Sequence, residues 1–122
     1  MSRPLLSVGK GRTSTVRILP GAVRISTCRL VELGFEADAV VSVSAEPASL
    51  TFALCENGVE RYRELVRLAR RNKTQLIQVR RIRKWLSMEI TGALVNRAGF
   101  KQGEALSISV SHGLIQLQRS MS

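Results

Sequence analysis

The sequence predicts an α+β fold that is mainly β, built from two β-α-β-β repeats joined by a basic amphipathic helix. Three observations carry this expectation. The chain repeats itself 65 positions along without a gap: Val23-Arg24-Ile25-Ser26 aligns with Met88-Glu89-Ile90-Thr91, Leu33-Gly34-Phe35 with Ala98-Gly99-Phe100, and Val41-Ser42-Val43-Ser44-Ala45 with Leu106-Ser107-Ile108-Ser109-Val110. Within these blocks apolar and polar residues alternate, which is the period of a strand. Between the repeats the apolar residues recur every three or four positions instead, which is the period of a helix.

Each repeat opens on an alternating strand that runs to a hydroxyl residue, Ser26 or Thr91, placed to cap a helix by accepting a hydrogen bond from a free backbone N–H. A helix of about two turns follows. Gly34 and Gly99 sit where a left-handed residue would end it at little steric cost. With glycine at that position, Phe35 faces Leu30 and Phe100 faces Val95, the apolar contact of a Schellman ending. After a turn (Ala37-Asp38; Gln102-Gly103) comes a strand whose serines 42, 44, 107 and 109 face one side and whose Val41, Val43, Ala45, Leu106, Ile108 and Val110 face the other. A second turn, Glu46 to Ser49 or Ser111 to Gly113, leads to a last strand in which Leu50, Phe52 and Leu54 match Ile115, Leu117 and Arg119.

A unit of this size buries too little apolar surface to be stable alone. Two fused copies supply each other with a partner, so residues 1–122 are expected to form one composite domain with a pseudo-twofold core: a basic arm over 1–14, the first repeat over 15–56, a basic connecting helix over 57–73 and the second repeat over 74–119. The core is expected to join Ile25, Leu30, Phe35 and Val43 to Ile90, Val95, Phe100 and Ile108. A homodimer of the whole chain stays open.

No apolar run approaches the roughly 20 residues that span a bilayer, and the first residues lack the apolar stretch of a secretory signal, so the expected location is the cytoplasm, nucleoid association included. Cys28 and Cys55 are isolated thiols that make neither a zinc spacing nor a disulfide framework; they are expected to be small buried hydrophobes.

Charge is the second strong signal. The chain holds 19 Lys plus Arg against 9 Asp plus Glu, a net charge of +10. Residues 61–84 hold ten cations against the single anion Glu64, so almost all of the excess lies in the segment joining the repeats. From Gly58 to Arg71, Val59, Tyr62, Leu65, Val66, Leu68 and Ala69 mark the apolar face of a helix, with Glu60 and Glu64 near its start and Arg70, Arg71 and Lys73 near its end, complementing the macrodipole. Asn72 is its expected stop. Gln75 to Val79 then has strand character and runs into Arg80-Arg81-Ile82-Arg83-Lys84-Trp85. Two glutamates cannot neutralise this surplus, which fits a polyanion. Trp85 is expected in the core, since Leu86, Met88 and Ile90 continue an apolar alternation; stacking on an unpaired base is the alternative.

From Ala22-Val23-Arg24-Ile25 through Leu33-Gly34-Phe35 to Val40-Val41-Ser42-Val43, the first repeat resembles the SymE toxin family, whose members share an apolar strand, a short helix ending in an "aGF" signature, a turn and a paired hairpin. The second repeat, from Met88-Glu89-Ile90-Thr91 through Arg97-Ala98-Gly99-Phe100 to Gly113-Leu114-Ile115, is similar to it as well. SymE proteins in turn resemble the AbrB and MazE superfamily, so the resemblance implies a swapped-hairpin barrel made of interleaved hairpins from two copies, here within one chain. It covers roughly residues 15–54 and 75–118. The duplication, the glycine-free turn Glu46-Pro47-Ala48-Ser49 and the very basic connector depart from the family pattern.

Two functions go with that resemblance: an endoribonuclease toxin of a toxin-antitoxin system, and DNA binding of the AbrB kind. Metal-free RNA cleavage needs a base and an acid within reach of each other. The chain has one histidine, His112, placed in a turn where a solvated role is expected and matched by Pro47 in the first repeat. Metal-dependent cleavage needs clustered carboxylates, and the nine acidic residues are scattered. The expected function is therefore non-enzymatic nucleic-acid binding, toxin-like or regulatory, without metal or cofactor. The residues expected to grip phosphate are Arg17, Arg24, Arg29, Arg67, Arg70, Arg71, Lys73, Arg80, Arg81, Arg83 and Lys84. DNA ranks ahead of RNA as partner, and no membrane association is expected. An endoribonuclease, and an antitoxin-like module that docks an acidic partner protein through its basic connector, stay open.

Overall fold

The computed structural model describes Leu6 and residues 15–120, so the basic arm expected over 1–14 lies, Leu6 apart, outside the described residues. In chain order the elements are β1 (Val16–Leu19), β2 (Ala22–Thr27), a 3₁₀ helix (Cys28–Leu33), β3 (Val40–Glu46), β4 (Ser49–Leu54), α1 (Tyr62–Asn72), β5 (Gln75–Gln78), β6 (Arg80–Ile82), β7 (Trp85–Thr91), α2 (Ala93–Ala98), β8 (Leu106–Ser111) and β9 (Leu114–Arg119). They make an α+β fold, mainly β, of two antiparallel sheets with strand orders β1-β2-β7-β6 and β5-β3-β4-β9-β8.

The alternation in the sequence becomes the two faces of these sheets. Val23, Ile25, Met88 and Ile90 point from the first sheet, and Val41, Val43, Leu50, Phe52, Ile115 and Leu117 from the second, into one apolar cluster that also takes Leu30, Phe35, Leu94 and Val95 from the two short helices. Six of the eight residues expected at the core are buried; Phe100 and Ile108 are partly buried against its edge. Residues 65 positions apart meet where the halves join. On β2 and β7 the register sets Arg24 opposite Glu89, and on β4 and β9 it sets Thr51 opposite Gln116. The hairpin turns cross over in the same way: Gly113 N–H donates to Leu33 O at 2.6 Å, and Ala48 N–H to Ala98 O at 2.9 Å. Each of those turns is also tied to the last residue of the other half's hairpin, through Leu54 N–H to Gly113 O at 2.8 Å and Arg119 N–H to Ala48 O at 3.0 Å.

The helix stops follow the expectation, and the starts do not. Gly34 has φ 88° and Gly99 φ 69°. In the first half Gly34 N–H donates to Val31 O and Phe35 N–H to Leu30 O, the paired bonds of a Schellman ending; in the second, Gly99 N–H bonds Val95 O, the simpler left-handed ending. Thr27, not Ser26, caps the first helix, its Oγ1 accepting from Arg29 N–H at 3.2 Å. Ser26 and Thr91 stay in the strands, and Gly92 precedes α2 without a side-chain cap. The connector also starts later than its apolar spacing suggests. Asn57 takes a left-handed conformation (φ 51°) and Gly58 lies so close to Val40 that a side chain there would collide with it, so the chain turns over the sheet before α1 begins at Tyr62.

Two stability measurements test these features. The Pro47-Ala48 turn holds Ala48 at φ 65°, where its counterpart Gly113 has φ 74°. A left-handed alanine costs about 1–2 kcal/mol, partly offset by the greater freedom glycine would have in the unfolded chain, so Ala48→Gly is expected to raise stability by roughly 0.5–1 kcal/mol in urea unfolding. Conversely, Gly34→Ala is expected to cost more than Gly99→Ala. A Cβ at Gly34 would come within 2.8 Å of the His112 ring, whereas at Gly99 the nearest atom is 3.9 Å away.

Candidate nucleic-acid interface

Helix α1 sorts its residues by face. Leu65 and Ala69 are buried against the body, while Arg63, Arg67, Arg70 and Arg71, spaced i, i+4, i+7 and i+8, form one exposed stripe on the far side. Arg70 and Arg71 lie in its last turn, where cations complement the dipole, and Lys73 closes the helix in a left-handed conformation (φ 56°). Lys73 lines a shallow cleft of about 540 Å³ with Arg97 and the polar row Ser44, Thr51 and Gln116 on the outer face of the five-stranded sheet. Arg97 had no place among the expected phosphate-gripping residues, because only the tertiary fold brings α2 beside the end of α1.

The second group of cations sits on the β6–β7 hairpin, and the structure divides it. Arg80 pairs with Ser87 and Ile82 with Trp85 across the two strands, placing Arg80, Ile82 and Trp85 on the outer face of the four-stranded sheet. Arg81, opposite Leu86, points to the other side, where it and Lys84 line a small hollow with Cys28 and Val31. Arg83 occupies the tip in a left-handed conformation (φ 57°), unusual for a residue with a side chain. The four basic residues adjacent in sequence therefore serve two faces and a tip.

The outer face of the four-stranded sheet also carries a row of charge in register: Arg17 on β1, Arg24 on β2 and Glu89 on β7. Arg24 is bound to Glu89 at 2.9 Å, so its charge is locally balanced. Arg29 is similarly engaged by Glu32 at 3.3 Å, and Arg61 by Glu64 at 3.2 Å. Among the described residues, no ion pair engages Arg17, Arg63, Arg67, Arg70, Arg71, Lys73, Arg80, Arg81, Arg83 or Lys84. Of the eleven residues expected to grip phosphate, then, Arg24 and Arg29 hold carboxylates and the other nine face solvent as unmatched charge.

Trp85 corrects the expectation that it fills the core. It lies on the exposed side of β7, because Leu86, Met88 and Ile90 take the inward positions and its odd-numbered place must point away. Together with Tyr62 from the first turn of α1, Ile82 and Arg80, it lines a cleft of about 690 Å³ against the outer face of the sheet. Cys28 is likewise exposed, contrary to expectation, and Cys55 is partly covered, its burial pushing the thiol pKa up.

His112 lies exposed in the β8–β9 turn with its ring over Gly34. Among the described residues no cluster of His, Cys, Asp or Glu is arranged to hold a metal ion, and no helix is long and apolar enough to cross a membrane. Comparison of the chain with protein-family models, with curated proteins and with solved structures finds no match.

The Arg17–Arg24–Glu89 row yields a charge test. Glu89→Arg sets like charges directly opposite and is expected to cost about 1 kcal/mol in denaturant unfolding at low salt, with most of the loss restored when Arg24→Glu is added.

Proposed function

We propose that this protein is a non-enzymatic nucleic-acid binder, toxin-like or regulatory, that grips phosphate through the arginine stripe of α1 and the cations of the β6–β7 hairpin, with DNA ahead of RNA as its ligand. One observation carries the reading: nine of the ten cations between residues 61 and 84 have no carboxylate partner among the described residues, only Arg61 being paired. A surface that leaves so many like charges unmatched lowers its own stability through self-repulsion, and a phosphate backbone removes that repulsion while releasing counterions.

For the scaffold we propose a pseudo-twofold arrangement of two SymE-like, AbrB-type halves with exchanged hairpins, closed as a small barrel. The register supports a dyad through the Arg24/Glu89 and Thr51/Gln116 pairs, since shifting either pairing by 65 residues returns the same pairing. The exchanged hairpins are supported by the hydrogen bonds from each hairpin turn to the helix end of the other half. Arg17, Arg24 and Arg29 take a secondary part, because the latter two already hold carboxylates.

Replacing Arg80, Arg81, Arg83 and Lys84 together by Ala is expected to weaken binding to all sequences alike and to flatten the salt dependence, the slope of log K against log salt falling by about 0.9 for each duplex phosphate that is no longer neutralised. His112→Ala is expected to leave affinity unchanged. Unchanged affinity in the quadruple variant, together with RNA cleavage that His112→Ala abolishes, would replace the binding reading by the endoribonuclease one.

A further inference from the structure

The chain contains five aromatic residues, three Phe, one Trp and one Tyr. The phenylalanines serve the core: Phe35 and Phe52 are fully buried and Phe100 packs on its edge. The only Trp and the only Tyr do the opposite. Trp85 is 51% exposed and Tyr62 46% exposed, they come from separate elements, and both line the cleft on the outer face of the four-stranded sheet. Ile82, directly across from Trp85 and 58% exposed, widens the apolar surface. Fixed aromatic surface left in water is a mark of an interaction site.

The surroundings restrict what can occupy it. The lining offers hydrogen-bonding groups from Ser26, Ser87 and Gln78, the mutually neutralised Arg24–Glu89 pair, and Arg80, which has no ion pair among the described residues. Flat rings, polar groups at their edge and an unmatched guanidinium match an unpaired nucleobase with its phosphate: the base stacks on the ring, its edge finds donors and acceptors, and the phosphate meets the cation. The volume of about 690 Å³ suits a small planar ligand. A base inside a duplex has both faces covered by its neighbours and cannot stack here. A second copy of this chain is disfavoured at this face, because it would bring two Arg80 to Lys84 hairpins of a chain of net charge +10 against each other.

Building on the nucleic-acid-binding reading, we propose that the cleft lined by Trp85 and Tyr62 is a stacking site for an unpaired base of a single-stranded nucleic acid, with Arg80 holding its phosphate. The site reads single strands, while the stripe on α1 takes any polyanion.

Because Trp85 is the only tryptophan, its fluorescence reports on the site directly. The full chain is titrated at low salt with a short oligothymidylate, an oligouridylate and a duplex of the same strand length, following both emission and affinity. Single strands are expected to quench Trp85 and the duplex to leave it unchanged, the stronger of the two oligonucleotides showing whether the strand is DNA or RNA. Trp85→Ala is expected to weaken single-strand binding by about 10- to 100-fold and duplex binding little, while Trp85→Phe retains most of the affinity. Since the ring is exposed, far-UV circular dichroism and the melting temperature of both variants should match the parent. Equal quenching by duplex and single strand, or single-strand affinity that Trp85→Ala leaves intact, overturns the stacking site while phosphate binding stands. Failure of all three ligands to bind at low salt overturns both.

Discussion

The antiparallel pairing of β2 with β7, and of β4 with β9, is the constraint from which the other features follow. Each half has strands with one apolar face and a helix too short to cover it, and these faces are buried together in one cluster. The first pairing builds the four-stranded sheet and the second the five-stranded one, and their apolar faces put Val23, Ile25, Met88 and Ile90 in one cluster with Val43, Phe52, Ile115 and Leu117. The crossing hairpin turns then have a reason: each turn donates an N–H to a carbonyl left free at the other half's helix end. At the centre of the β2–β7 pairing, residues 65 apart face each other as Arg24 and Glu89. Two identical chains meeting there would set like charge against like; a single chain holding both halves can set an arginine against a glutamate.

The core holds no unmatched polar side chain: among the described residues every enclosed side-chain nitrogen and oxygen has a hydrogen-bond partner. Charge is instead carried outside, on the connecting helix α1 and on the β6–β7 hairpin. These are the places where the halves differ most. The β1–β2 hairpin turns at Pro20-Gly21, whereas the β6–β7 hairpin turns at Arg83-Lys84, two residues earlier relative to the repeat, and so β7 includes Trp85 and Leu86 as paired strand residues. That shift puts Arg83 and Lys84 in the turn and leaves the indole of Trp85 exposed on the strand beside it. The apolar core constrains both halves alike, while the solvent face of a hairpin is free to diverge, because a surface change away from buried groups costs little.

Arginine is the dominant cation, and its chemistry suits the surface. The guanidinium is weakly hydrated, stays charged at any accessible pH and presents a planar fork of donors that matches phosphate oxygens. Its plane also stacks on aromatic rings, so Arg80 beside Trp85 and Tyr62 adds to a flat, polarisable surface as well as to the field. Several carboxylates hold particular partners, Glu89 with Arg24, Glu64 with Arg61 and Glu104 with Arg119 at 2.8 Å, while Glu46 lines the cleft of Lys73 and Glu36 the hollow of Arg81. Glu104 is held below the usual carboxylate range, chiefly by that Arg119 hydrogen bond.

Local and periodic features were legible in the residues themselves. The repeat, the strand faces, the left-handed glycines 34 and 99, the Phe35 contact and the one-sided charge of α1 all depend on neighbours within a few positions, where spacing dictates geometry. Trp85 belonged to this group too: beside an inward Leu86 it had to face outward, and hydrophobicity alone pointed the wrong way. What the tertiary structure decided is everything set by pairing between distant segments. Thr27 took the cap from Ser26 because β2 stays paired with β7 through Thr27. Arg24 left the set of free cations because its partner strand places Glu89 opposite it. Tyr62 joined Trp85, and Arg97 joined Lys73, because folding sets the first turn of α1 beside the outer face of the four-stranded sheet and the end of α1 near α2. Residues so far apart in sequence meet only when a shared core holds their elements in place, and no local period encodes that meeting.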